Sequence, residues 1–137
     1  MKIRMCEPDD VPAIRDIYNY YVENSIVTLE EAPVSVEEMA SRVNSCMQGF
    51  PWLVCEAGDR VVGYACANRW HGRSGYRYSV EVTVYVRHGE GRKGYGQALY
   101  AELFPMLAGK YRAIVAGVSL PNEGSVRLHE KFGFRMV

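Results

Sequence analysis

The residues most able to do chemistry lie between Val80 and Gly96, VEVTVYVRHGEGRKGYG, where a β-branched run carrying one carboxylate, Glu81, opens into a loop of four glycines that embeds Arg92 and Lys93. Backbone N–H groups converge on an anion only where side chains do not block the approach, and the first turn of a helix adds partial positive charge. The segment therefore reads as a strand, a pyrophosphate cradle and a helix start, and a nucleotide-bearing cofactor is its natural occupant. A charged side chain inside so apolar a strand is expensive to bury without a partner or a purpose, which makes Glu81 a candidate general base. The competing account is an alternation that turns it to a solvated face.

Gly89, Gly91 and Gly94 spell G-x-G-x-x-G. A dinucleotide fingerprint belongs in the first βα turn with an acidic residue roughly 20 positions further on. Here the motif lies two-thirds along the chain, and Gly109, Lys110 and Tyr111 stand near that distance. A P-loop fails as well, because no G-K-[ST] closes the loop.

These residues need elements to hold them. Ile3 to Cys6 alternates weakly as a strand; Asp9 or Asp10 then caps a helix with Pro12 in its first turn and Ile14, Ile17, Tyr18, Tyr21 and Val22 on one face. Ser35 and Glu38 form a capping box, with Met39, Val43 and Met47 behind it, so a second helix ends near Gly49. Trp52 to Ala57 and Arg60 to Ala67 predict a hairpin across Gly58 and Asp59, and Tyr78 to Val86 a central strand. A helix over Tyr95 to Leu107, kinked or shortened by Pro105, a buried strand over Ala113 to Val118, and a helix over Glu123 to Phe132 closed by Gly133 complete the order.

Bulk properties narrow the classes. At 137 residues the chain reads as a single domain over 1–137, and 16 basic against 16 acidic residues lack the footprint of a nucleic-acid binder. Lys2 and Arg4 meet Glu7, Asp9 and Asp10 before any apolar run, so neither a signal peptide nor a membrane anchor is expected and the cytoplasm is the expected compartment. Cys6, Cys46, Cys55 and Cys66 lack the paired spacing of a zinc site and read as buried thiols, so no metal is expected.

Two segments in the right order resemble the GNAT acetyltransferase family. Gly91-Arg92-Lys93-Gly94-Tyr95-Gly96 is similar to its acetyl-CoA loop, [QR]-x-x-G-x-[GA], departing at Gly91, and Ser119 to Phe134 is similar to its N-x-x-[AS]-x-x-L-[YH]-x-x-x-G-F segment. Pro51 to Val54, Gly63-Tyr64 and Ser79 to Val86 are similar to the P-W-L-V, G-Y and T-V-E-x-x-V-Y-V pattern of the branch that acetylates phosphinothricin and methionine sulfone. The resemblance implies an α/β fold: a central mixed, mostly antiparallel twisted sheet, helices on both faces and splayed middle strands. Relatives continue past Val137, so the last strand or strands are expected to be missing.

It also implies roles. Glu81 would deprotonate the amine, a backbone N–H among Val84, Tyr85 and Val86 would meet the oxyanion beside the pantetheine arm, and Gly91, Arg92, Lys93, Gly94, Tyr95 and Gly96 would hold the pyrophosphate. Asn122, either a plain N-cap or a cofactor contact, and Ser125 would start the last helix at the cofactor; His129 would be the acid that protonates the departing thiolate or a group that positions substrate. In WHGRSGYRY, Trp70 to Tyr78, the residues His71, Gly72, Arg73, Tyr76, Arg77 and Tyr78 would contact the acceptor, with Arg73 and Arg77 as forks for a carboxylate or phosphinate; a solvated loop is the rival account. Val27 to Glu31 would be a second wall. The implied activity is acetyl-CoA-dependent N-acetylation of a small amino acid or analogue by a homodimer. A non-catalytic acyl-CoA-binding module, or acetylation of another amine such as a protein N-terminus, is the alternative.

Overall fold

The computed structural model describes residues 1–24, 32–69, 79–91, 93–110, 113–116 and 123–134, without the side chains of 113 and 123–126. Among them β1 (Lys2–Met5), β2 (Trp52–Ala57), β3 (Arg60–Arg69), β4 (Ser79–Val86) and β5 (Ala113–Ala116) lie side by side in chain order. The helices are α1 (Val11–Asn24), α2 (Val36–Met47), α3 (Tyr95–Leu107) and α4 (Glu123–Lys131). The first three pairings are antiparallel, and β4 to β5 is parallel, with α3 as the crossover a parallel neighbour requires. This is the mixed, mostly antiparallel sheet expected, with β4 in its interior.

Alternation along the strands divides the core between two faces. Trp52, Val54, Tyr64 and Cys66 pack with Ile14 and Ile17 of α1 and Met39, Val43 and Cys46 of α2. Leu53, Ala65, Ala67, Val80 and Val82 pack with Leu99, Tyr100, Leu103 and Leu107 of α3. Ser35 caps α2, its Oγ accepting from Glu38 N–H at 3.1 Å, which is the Ser35 half of the expected capping box. Pro105 falls in the last turn of α3 and cannot make the bond an N–H there would donate to Ala101 O, yet the helix runs on to Leu107.

Asp10 does something the sequence does not announce. A short 3-10 turn, Pro8–Asp10, precedes α1, and the Asp10 carboxylate turns back to accept from Glu7 N–H at 2.7 Å. The Arg4 guanidinium closes on it bidentately at 2.8 and 2.9 Å and reaches Glu56 at 3.1 Å, tying β1, the turn and β2 together. Arg4, the largest influence, holds the Asp10 carboxyl below its usual range. A depressed carboxylate stabilises above its unfolded value and loses that contribution as pH falls through the folded one. Asp10→Asn is therefore expected to lower stability by about 2 kcal/mol at pH 7 in urea titration, with the difference from wild type fading in acid. A gap unchanged at low pH would contradict this account.

Candidate active site

β4 leaves the sheet at Val86. Arg87 closes the last rung with its N–H on Val62 O at 2.7 Å, and its guanidinium clamps Val61 O at 3.0 and 3.2 Å. Gly89 and Gly94 then turn the chain with φ of 86° and 83°, where an L side chain is strained. Gly91 has no positive φ and open space where a Cβ would stand, so backbone geometry does not demand glycine there. α3 starts at Gly94 with no side-chain cap and no acid in its first turn. Its first internal bond is Ala98 N–H to Gly94 O at 3.0 Å, which leaves the N–H groups of Tyr95, Gly96 and Gln97 as donors at the positive end of the helix. Gly96 serves packing instead: a Cβ there would stand 3.0 Å from Leu128 Cδ2 and 3.8 and 3.9 Å from the methyls of Val86 and Val84.

The rungs of an antiparallel pair alternate along each strand. Since Arg87 N–H bonds Val62 O, and the register pairs Tyr64 with Tyr85, Cys66 with Thr83 and Asn68 with Glu81, the amides of those β4 residues face β3. The amides of Val82, Val84 and Val86 consequently face the opposite edge. There the described ladder pairs Ser79 to Val82 with Ala113 to Ala116, and β4 runs on to Val86. Tyr21 of α1 donates its hydroxyl to the Val86 carbonyl, and burial pushes its phenol pKa up, keeping it a donor. Of the three residues expected to meet the cofactor by backbone, Tyr85 has its amide turned to β3. Its ring joins a tyrosine cluster, with centroids 5.6 Å from Tyr18, 5.3 Å from Tyr21 and 5.6 Å from Tyr64.

With Val80 and Val82 in the α3 face, Glu81, Thr83 and Tyr85 point to the α1/α2 face. Glu81 is half-buried opposite Asn68, neither sealed in the core nor fully solvated. The neighbouring Cys66 thiol is pushed well up, first by its hydrogen bond with Cys46, then by burial, with the Glu81 charge contributing, so it stays protonated. His129 lies across the sheet. It is 6% exposed, with Nε2 2.8 Å from the Tyr100 hydroxyl and its ring edge-on to Tyr100 and Phe134. Burial pushes the Tyr100 phenol up, and donation from Tyr100 to Nε2 is the arrangement that leaves no buried hydroxyl proton without an acceptor. Glu81 and His129 are thus not brought together.

A family profile described as the Acetyltransferase (GNAT) domain matches residues 3–137. The chain belongs to the GNAT acetyltransferase family. It is 38% identical over 135 residues to a phosphinothricin N-acetyltransferase of Streptomyces viridochromogenes, covering 98% of this chain and 74% of that one. Among solved structures it is similar to a ribosomal-protein-alanine N-acetyltransferase from Brucella melitensis, with a TM-score of 0.93, 34% identity, and 98% and 85% of the two chains covered. It is equally similar to a GNAT phosphinothricin acetyltransferase from Sinorhizobium meliloti in complex with acetyl-CoA, with a TM-score of 0.91, 33% identity, and 98% and 74% covered.

This GNAT enzyme is an acetyl-CoA-dependent N-acetyltransferase, and its residues fit the cofactor: the α3 N-terminus offers three uncapped amides above a left-handed Gly94, and the β4 edge offers Val84 and Val86. His71, Gly72, Arg73, Tyr76, Arg77 and Tyr78, together with Trp70, Val27 to Glu31, Arg92 and Asn122, lie outside the described residues, and Ser125 is placed on α4 by backbone alone. Sequence reasoning passed over Tyr21 and Tyr18 as plain core positions and over Glu90, Asn19 and Tyr100 altogether. Three tyrosines within four residues near the end of one helix were the available signal for the first pair. Asn19 holds Val34 through both amide groups at 2.8 Å, fastening the chain that enters α2 onto α1. No described helix is long and apolar enough to cross a membrane.

Proposed function

We propose that this GNAT enzyme acetylates the α-amino group of a small amino acid or analogue of the phosphinothricin, methionine sulfoximine or methionine sulfone type. The observation that carries the reading is Glu81: a half-buried carboxylate on the face lined by Tyr64 and Tyr85, in the same strand whose outer edge presents Val84 and Val86. Acetyl-CoA supplies an activated acetyl group as a thioester. The chain's part is to position and to move protons. The amides opening α3, with Lys93 and Arg92, would hold the pyrophosphate, assisted by Asn122 and by Ser125 of α4; the edge groups of Val84 and Val86 would hold the arm that carries the thioester. Glu81 takes a proton from the ammonium, directly or through water, and frees the lone pair for attack. His129, whose Nε2 stands 2.8 Å from the Tyr100 hydroxyl, is the group assigned to protonate the departing thiolate or to position substrate.

Acceptor choice is assigned to Trp70–Tyr78, with Arg73 or Arg77 forked on the substrate's acidic group. Arg→Lys at either position is expected to raise KM for an amino acid far more than for its decarboxylated amine, since a point charge replaces a bidentate fork only for the acceptor that carries the anion. The decisive assay is steady-state acetylation across phosphinothricin, methionine sulfone, methionine sulfoximine, their decarboxylated amines and a peptide with N-terminal alanine. Preference for the free amino acids supports the proposal. The Brucella relative's name makes the alanine peptide the acceptor to beat, and its preference over all small molecules would replace this reading.

A further inference from the structure

We propose that Glu90 is a positioning residue for the cofactor loop, holding the Lys93 ammonium in place and fastening the loop to the sheet through Arg60. An acid immediately before a polyanion site is electrostatically adverse, so its geometry calls for a reason. Each oxygen of the Glu90 carboxylate has its own cation: Oε1 accepts from Arg60 Nη2 at 2.6 Å and Oε2 from Lys93 Nζ at 2.6 Å. The carboxylate is shielded, its side chain 14% exposed, whereas those of Arg60 and Lys93 are 59% and 54% exposed. Arg60 is the first residue of β3, so the far end of the bridge is the hairpin and not the loop itself. Glu90 N–H also donates to Arg87 O at 3.0 Å, which closes the turn.

The loop needs such an anchor. Gly89 and Gly94 both take left-handed conformations, and glycine loses more conformational freedom on ordering than any other residue. Lys93 directly precedes the cap of α3, so the carboxylate that fixes its ammonium also fixes where a cation stands relative to the free amides of Tyr95, Gly96 and Gln97. A loop ordered before binding loses less on capturing a pyrophosphate. Two further properties follow from the placement. The charge of Glu90 is matched by cations within contact distance, while its repulsion of a cofactor beyond them is screened by salt. Arg60 acts through Glu90 and touches no cofactor.

The inference rests on the loop being the acetyl-CoA site. Glu90→Gln, which keeps shape and removes charge, is expected to raise KM for acetyl-CoA roughly three- to tenfold with kcat and the acceptor KM unchanged. Arg60→Gln, which frees the loop from the sheet but leaves Lys93 its carboxylate oxygen, should raise it by less, and the double variant should be no worse than Glu90→Gln alone, because Arg60 acts only through Glu90. A lower or unchanged KM in Glu90→Gln would overturn the proposal, the former because repulsion then outweighs anchoring. Additive losses in the double variant would also overturn it, since Arg60 would then contact the cofactor itself. A fall in kcat matching a fall in melting temperature would mark a structural role only and would likewise sink it. Failure of the site assignment shows differently: Gly94→Val would then bind acetyl-CoA in calorimetry as the wild type does.

Discussion

Glu81→Gln is expected to lower kcat by roughly 100-fold or more while leaving the acetyl-CoA dissociation constant nearly unchanged, in line with removal of a general base. The split follows from geometry. Glu81 points to the α1/α2 face, whereas the cofactor groups assigned to β4 lie along its edge at Val84 and Val86, and the loop begins only after Arg87. Glutamine preserves the side chain's shape beside Asn68 and Cys66, so the fold is expected to survive, which a thermal melt verifies. The substitution removes the only group at that position able to accept a proton from an ammonium. Wild-type kcat in the Gln variant across pH, with the best acceptor, would make Glu81 a structural residue and withdraw the mechanism.

Gly94→Val should abolish measurable acetyl-CoA binding in calorimetry in a chain that still folds. A β-branched residue at φ of 83° is strained by about 1–3 kcal/mol, and the chain relieves that strain by swinging the loop away from the first turn of α3. Nothing lies within 4 Å of the Cβ position, so the effect is conformational and local. Gly96→Val fails for another reason. Its Cβ meets Leu128 Cδ2 at 3.0 Å, and the further methyls press on Val84 and Val86, so α3 is pushed off β4 and stability falls together with binding. Gly91→Ala is the internal control, expected to bind normally, because that position has neither a left-handed backbone nor a close neighbour. Unchanged affinity in folded Gly94→Val would remove the loop from the site.

Much of this protein is local and is therefore written along the chain. Capping by Ser35, the four-residue spacing of Met39, Val43 and Met47, the hairpin turn at Gly58 and the glycine stop at Gly133 each depend on residues within one or two turns of one another, so the sequence alone determined the elements and their order. The cofactor loop was legible for the same reason: glycines, cations and a helix start adjoin in sequence. What the tertiary structure decided depends on pairings between distant residues. That Val84 and Val86 rather than Tyr85 turn their amides outward follows from the rung between Arg87 and Val62. That Glu81 and His129 face opposite sides of the sheet, the latter under Tyr100, follows from strand register and from α3 packing against α4. Tyr21 finding the Val86 carbonyl, and Glu90 joining Lys93 to Arg60 thirty residues earlier, are likewise invisible to periodicity. Periodicity states which face a side chain takes, and only the register of the sheet states what stands opposite it.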